Sequence, residues 1–168
     1  MSAALHRALR AAALCVAIVF IAGCAINTRA SGQNGPEHRS WLGRLALTVH
    51  TQPPQSFAAD FDLQGNSHTG VLTFFTPLGT TAARLQWSPE SALLHTGGAT
   101  REFGSLDALT LEATGAVLPV SALLAWLDGV PAAAPGWRVD LQGLPTGRLS
   151  AERFTPEPQV QLKVVLER

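Results

Sequence analysis

The sequence contains no tyrosine, and its cysteines are limited to Cys15 and Cys24. The missing tyrosine removes one of the side chains that proteins use as a general acid. Lysine and arginine together number 12, and so do aspartate and glutamate, so no basic field points to nucleic acid. The N-terminal apolar run, residues 11–22, has about a dozen residues, which is too short to span a membrane as a helix.

Sequence patterns that carry catalysis or metal binding are also missing. There is neither a P-loop nor a dinucleotide-binding fingerprint. The histidines are widely spaced, with no H-x-H or H-x-x-x-H pair, so we expect no metal site. Ser121 could be grouped with His95 and Asp128 as a triad, but no nucleophile-elbow pattern surrounds it, and a serine beside a helix-starting proline is commonly a cap. We therefore expect no catalytic residue and no cofactor.

The N-terminus carries the pattern of a bacterial lipoprotein signal. Two arginines precede the apolar run, which ends at Ala22-Gly23-Cys24. This order predicts that residues 1–23 are a signal peptide that is removed and that the Cys24 thiol becomes lipidated. The alternative interpretation is an ordinary secretory signal, or an uncleaved anchor, that contains a cysteine by chance.

Lipidation of Cys24 has consequences for the mature chain. Cys15 lies in the removed segment, so the mature chain would have no free thiol and no disulfide. In enterobacterial lipoproteins an aspartate after the cysteine favours the inner membrane, so Ala25 indicates an outer-membrane protein that faces the periplasm. Residues 24–39 are polar and lack periodicity, which predicts a flexible tether. Residues 40–168 are then one domain held together by its core.

Alternation of apolar and polar residues predicts strands in most of this domain. Pro53-Pro54 breaks the first two strands apart, and Gly97-Gly98 ends a short one. About three strands are expected after the middle of the domain. Those with a clear pattern lie near residues 41–49, 57–64, 69–75, 80–87, 93–94, 101–103, 137–141 and 160–167.

Two short helices are predicted between the strands. Ser105 is a candidate N-cap for the first helix, and Pro119 stands in the first turn of the second. Residues 120–127 carry an apolar stripe at helical spacing, which Gly129 ends. Strands followed by helices indicate an α+β fold, with an open antiparallel sheet that short helices must cover. Incomplete cover would leave an apolar cavity.

Several stretches resemble the family of the outer-membrane lipoprotein receptor LolB. They begin at Thr76-Pro77-Leu78-Gly79, and residues 115–131 are similar to the family's Gly, Leu/Ile-Pro, Leu-x-x-Trp-Leu, Gly-x-Pro run. The stretch from Gly136 to the C-terminus follows the family's last strands. The chain departs from the family at residues 132–136, which stand where the family carries an additional strand pair. The half-barrel should therefore be narrower, or two strands short.

The resemblance implies a half-barrel with an apolar cavity for acyl chains of lipoproteins. It implies that the periplasmic carrier LolA delivers these lipoproteins and that the receptor places them in outer-membrane lipid. It also implies that a turn formed by Pro77, Leu78 and Gly79 touches the bilayer, with Leu78 protruding. We expect a monomer with no nucleic-acid partner. The apolar cavity candidates are Leu45, Leu47, Phe57, Phe61, Leu72, Phe74, Leu85, Trp87, Leu123, Leu124 and Trp126.

Plain core packing is the safer interpretation for any single cavity candidate, and two other functions compete with the receptor hypothesis. One is a lipid-anchored structural or assembly lipoprotein that binds a protein partner and has a filled core. The other is a lipid-anchored hydrolase, which the missing site chemistry disfavours. An apolar void between sheet and helices would favour the receptor, and its absence would favour the structural lipoprotein.

Overall fold

A computed structural model describes residues 39–167 of the chain. The predicted signal peptide, Cys24 and the tether up to residue 38 lie outside the described residues. The described residues form mostly β-strands, with a pair of helices between the sixth and the seventh strand. In chain order the elements are β1 Arg39–Val49, β2 Gln55–Gly65, β3 Gly70–Phe75, β4 Thr81–Trp87, β5 Ala92–Thr96, β6 Ala99–Phe103, α1 Leu106–Thr114, α2 Val120–Leu127, β7 Trp137–Asp140, a 3₁₀ turn Leu144–Thr146, β8 Arg148–Arg153 and β9 Val160–Leu166.

All nine of these strands belong to one antiparallel sheet in the order β6-β5-β4-β3-β2-β1-β9-β8-β7. Two meanders meet where β9 pairs with β1, so the first and last strands lie at the centre. The sheet stays open, with β6 and β7 as its two edges. The predicted α+β class, an open antiparallel half-barrel with short helices, is therefore confirmed.

Strand pairing is staggered across the middle of the sheet. β9 pairs with the second half of β1, from Gly43 to Val49. β3 pairs with the second half of β2, which in turn lies opposite the first half of β1. In a barrel wall, such a stagger accompanies a tilt of the strands relative to the barrel axis. It also leaves residues 55–59 of β2 without a partner in β3.

One face of the sheet forms the core because alternate side chains point to it. The inward residues are apolar on nearly every strand, and two helices cover them. Ser105 caps α1, where its hydroxyl accepts a hydrogen bond from the Ala108 N–H at 3.1 Å. In α2 the whole predicted stripe is buried, together with Ala122 and Trp126. Neither helix in the described part of the chain is long and apolar enough to cross a membrane.

The structure confirms the predicted strands and both helices, and it has three strands after the helices, as expected. The position of β8 was not predicted, because its apolar residues are limited to Leu149 and Ala151. No strand lies between α2 and β7, so residues 132–136 contribute none, as the departure from the family pattern predicted. β1 begins at Arg39, one residue before the predicted start of the domain.

The central strand β9 offers a direct test of the core. Leu162 is fully buried between Leu47 of β1 and Ala151 of β8. We predict that Leu162→Ala lowers the free energy of unfolding by about 2–5 kcal/mol, because it removes buried methylenes and leaves a cavity. The exposed neighbour Lys163 is the control, and Lys163→Ala should change stability by about 0.5 kcal/mol at most. Urea unfolding followed by tryptophan fluorescence measures both, and equal losses would contradict this core assignment.

Candidate functional site

All residues predicted to line a cavity lie on the covered face of the sheet or on the helix that faces it. Leu47, Phe74 and Trp126 are each 1% exposed, and Leu124, the least buried of those classed as core, is 6% exposed. Only Phe57 among the candidates is half-buried. The sequence therefore predicted which residues share the buried surface. We call the face of the sheet that lies beneath the helices the covered face.

Side chains of the helices and the sheet fill the space over the covered face. Because these side chains are almost inaccessible, an acyl chain can enter only if the helices move away from the strands. A pocket of about 610 Å³ lies instead at one end of the sheet, where His68, Glu90 and Phe103 contribute to its lining. The covered face is thus packed against the helices, and an open acyl-chain cavity over it stays a prediction.

Cover is incomplete where β2 extends beyond β3. Phe57 lies in this extension, half-buried, and its ring packs edge-to-face on Phe74 with centroids 5.0 Å apart. The β3–β4 turn, residues 76–80, projects at the same end, since Phe75 pairs with Asp60. The turn that carries Leu78 therefore lies at an end of the covered face where an apolar side chain is partly open to solvent.

The opposite end of the covered face is fixed by Trp87. Its indole N–H donates a hydrogen bond to the Asn66 carbonyl at 3.1 Å. Its ring lies against Gly70, where a Cβ would come within 2.2 Å of the ring. Any residue other than glycine at position 70 would displace the tryptophan. This end of the covered face can therefore change its packing less readily than the end near Phe57.

Hydrogen bonds of buried threonines tie α1 to the linker, residues 115–119, that leads into α2. The Thr110 hydroxyl accepts from the Leu118 N–H at 3.2 Å, and the Thr114 hydroxyl contacts the carbonyls of Thr110 and Ala116 at 2.8 and 3.1 Å. We call α1, the linker and α2 together the helical pair. The hydroxyls of its buried threonines are satisfied within it and need no partner on the sheet.

Surface ion pairs join the helical pair to the sheet. Arg101 of β6 pairs with Glu112 of α1, and Arg39 of β1 pairs with Asp128 directly after α2. Exposed pairs of this kind contribute about 0–1 kcal/mol each. No sequence spacing could have predicted them, because the partners lie on separate elements. Apolar packing therefore contributes most of the stabilisation between the helical pair and the sheet.

Trp126 connects the end of α2 to the following segment. Its indole N–H donates to the Ala132 carbonyl at 2.8 Å, and its ring lies 6.2 Å from that of Trp137 in β7. Both contacts lie on the C-terminal side of the helical pair. This tryptophan therefore links α2 to the β7 edge of the sheet.

The turn predicted to touch the bilayer is well defined. The Gly79 N–H donates to the Thr76 carbonyl and the Thr76 N–H to the Thr80 carbonyl, both at 2.8 Å. Pro77 and Leu78 are the central residues, and Gly79 follows at φ +79°, in the left-handed region that favours glycine. Leu78 is 91% exposed, so its predicted protrusion is confirmed, whereas its contact with lipid stays a prediction.

The residues considered as a triad have separate interaction partners. The His95 ring is hydrogen-bonded to Thr100, and Asp128 is ion-paired with Arg39. Ser121 is exposed, and α2 has no side-chain cap at its start, so the expected capping role of this serine is wrong. Within residues 39–167, no three His, Cys, Asp or Glu side chains are grouped so that they could hold a metal ion.

Comparison with known proteins gives a consistent match. Residues 38–159 match the family described as outer membrane lipoprotein LolB. The chain is 33% identical over 146 residues to outer-membrane lipoprotein LolB of Bordetella parapertussis, covering 83% of this chain and 73% of that protein. It is 28% identical over 178 residues to the protein of that name from Dechloromonas aromatica, covering 92% and 94%. A third relative, from Alkalilimnicola ehrlichii, is 45% identical over 109 residues, or 63% and 52% of the two chains.

Proposed function

Because the chain belongs to the outer membrane lipoprotein LolB family, we propose that it is an outer-membrane lipoprotein that accepts lipoproteins from the periplasmic carrier LolA and inserts them into the outer membrane. The observation that carries the proposal is Leu78, 91% exposed at the tip of a hydrogen-bonded turn at the end of the covered face where Phe57 is half-buried. A leucine held in water by a rigid turn is suited to contact with an apolar phase.

The covered face is the proposed site for the acyl chains. The helical pair would move away from the strands, and acyl chains would replace its apolar contacts with the sheet. Each buried methylene contributes about 0.8 kcal/mol, so a few methylenes offset the loss of one buried leucine contact. The helical pair keeps its own hydrogen bonds during this movement, because Thr110 and Thr114 bond within it.

Release into the bilayer follows from the same chemistry. Apolar contacts have no preferred direction, so they hold an acyl chain without fixing one position. Transfer from carrier to receptor and then to the bilayer can therefore run downhill with no nucleotide or metal. The proposed exit lies near Phe57, which is half-buried at the end of the sheet where the Leu78 turn projects.

Leu78 and Cys24 would have different roles at the membrane. Burial of one leucine side chain is worth about 1.5–3 kcal/mol, too little to anchor a protein. The proposed lipid on Cys24 supplies the stable attachment, since lasting membrane binding needs more than one acyl chain. Leu78 would instead open a point of contact at which cargo crosses into the bilayer.

The filled core also supports the second candidate, a structural or assembly lipoprotein that binds a protein partner. Its covered face would simply be a core, and the helical pair would stay in place. The two candidates differ in whether the helical pair must move for function and whether Leu78 matters for transfer. Two experiments separate them.

The first experiment changes the turn. We predict that Leu78→Glu reduces transfer of a lipoprotein into liposomes by at least about tenfold, because a charged tip no longer enters the apolar layer. Acceptance of the lipoprotein from the carrier should be unchanged, since Leu78 has no part in the covered face. The measurement is the fraction of cargo that co-sediments with liposomes, alongside cargo captured from the carrier.

Val165 provides a matched control for this substitution. It is 50% exposed on the outer face of β9, so Val165→Glu introduces the same charge on an exposed apolar position elsewhere. Urea unfolding should show that both variants keep the fold. If Leu78→Glu transfers cargo as well as Val165→Glu does, the proposed role of the turn is wrong.

The second experiment holds the helical pair in place. Cysteines at positions 39 and 128 would replace the ion pair between β1 and the end of α2 and could be bridged by a reducible thiol-specific cross-linker. We predict that the bridged protein loses most of its acceptance of cargo and that reduction restores it. Cargo captured from the carrier before and after reduction is the readout.

Single-cysteine variants treated with the same reagent show what modification alone does. They should accept cargo normally. Full acceptance by the bridged double variant would contradict movement of α2 away from the strands and would favour the structural lipoprotein.

A further inference from the structure

A second pocket lies directly beside the Leu78 turn, on the outer face of the sheet. It has a volume of about 400 Å³ and is formed by the start of β4 and the β5–β6 hairpin. We call it the Arg84 pocket. Its lining residues are Thr81, Ala82, Arg84, His95, Thr96, Gly97, Gly98, Ala99 and Thr100.

The lining of the Arg84 pocket is suited to an anion. Its charged group is Arg84, whose side chain is exposed and makes no hydrogen bond or ion pair within residues 39–167. His95 faces Arg84 across the β4–β5 pair, and one of its ring nitrogens, Nδ1, lies 2.8 Å from the Thr100 hydroxyl. None of the described residues that line the pocket carries a carboxylate.

Carboxylates near the pocket lie outside it. Asp62 is two strands away from Arg84, beyond Thr73, and one of its oxygens accepts from Gln64 at 2.9 Å. Glu102 follows Thr100 on the outer face of β6 and contributes to the lining of the other pocket. Arg84 therefore presents an uncompensated cation, and guanidinium geometry matches the oxygens of a phosphate.

The position of the pocket relative to Leu78 identifies where such a phosphate would come from. The headgroup layer of a bilayer is about 5–8 Å thick on each side of the hydrocarbon core. A strand rises about 3.3 Å per residue. The turn closes where Thr76 bonds to Thr80, so the start of β4 lies only about two strand rises from the Leu78 tip. With Leu78 at the edge of the hydrocarbon, the start of β4 therefore lies at headgroup depth. The long Arg84 side chain can reach this level from its own place on β4.

We propose that the Arg84 pocket binds the phosphate group of a phospholipid headgroup in the bilayer that the Leu78 turn contacts. This proposal rests on the proposed function, because it takes Leu78 as the point of membrane contact. Leu78 provides the apolar contact and the pocket the polar one, so the two together set the depth and tilt of the turn at the surface. The sequence alone does not reveal the pocket, since Arg84 and His95 meet only through strand pairing.

A measurement of lipid contact without cargo tests the proposal directly. The full-length lipidated protein would carry Pro77→Cys labelled with an environment-sensitive fluorophore, in vesicles of phosphatidylcholine and phosphatidylglycerol. Quenching by spin-labelled lipid reports how deeply the turn enters the bilayer. We expect Arg84→Gln to shift the equilibrium between inserted and withdrawn turn about fivefold toward withdrawal, which corresponds to about 1 kcal/mol for one cation at an anionic surface.

Arg148 supplies the matched control. It is an exposed arginine on the outer face of β8, five strands away from β4, and lies outside the proposed site. Arg148→Gln removes the same charge and should leave quenching unchanged, and Arg84→Lys should retain part of the effect. Equal quenching for Arg84→Gln and Arg148→Gln would overturn the proposal.

Free phosphate distinguishes a lipid headgroup from a dissolved ion. Inorganic phosphate, compared with chloride at equal ionic strength, should not displace the turn from the vesicles. If it displaces the turn as effectively as Arg84→Gln does, the pocket is a site for free phosphate and the lipid proposal is wrong. Because no lipoprotein cargo is present, failure of cargo transfer elsewhere would not alter these outcomes.

Discussion

The structure depends on one constraint, the need to cover the apolar face of an open antiparallel sheet. A closed barrel would bury that face by itself, but this sheet ends at β6 and β7. The helical pair provides the cover, and residues from Leu45 of β1 to Val164 of β9 are buried beneath it. The contacts between the helical pair and the sheet are therefore also the core of the fold. Acyl chains that bind at the covered face, as proposed, would compete with these contacts.

The way in which the helical pair is attached to the sheet lowers the cost of this competition. The hydroxyls of its buried threonines bond within the pair, the Trp126 indole bonds to the segment after α2, and its links to the sheet are apolar packing and exposed ion pairs such as Arg101–Glu112. Apolar contacts can be exchanged for acyl-chain contacts at little net cost, whereas broken buried hydrogen bonds could not. Under the proposed function, this distribution of polar groups would let the helical pair leave the strands at a small cost in free energy.

Much of this arrangement could be predicted from residue order, and the rest depends on packing. Alternation in β1 and β2 revealed which residues share a face, and Pro77 and Gly79 around Leu78 predicted an exposed tip. The weak pattern of Leu149 and Ala151 did not reveal where β8, the third strand expected after the helices, would lie. Alternation also cannot show whether a covered face is hollow or filled, because that depends on how side chains of separate elements fit together. The Arg84 pocket was not predicted either, because it also depends on how residues of separate strands come together.

Depletion of the protein in its own bacterium tests the central claim most directly. If the chain receives lipoproteins from the carrier and inserts them, newly made lipoproteins should accumulate on the periplasmic carrier and disappear from the outer membrane as the protein is lost. Isolation of the carrier with its bound lipoproteins, before and after depletion, measures this. A carrier that remains unloaded, with outer-membrane lipoproteins at their normal level, would contradict the account.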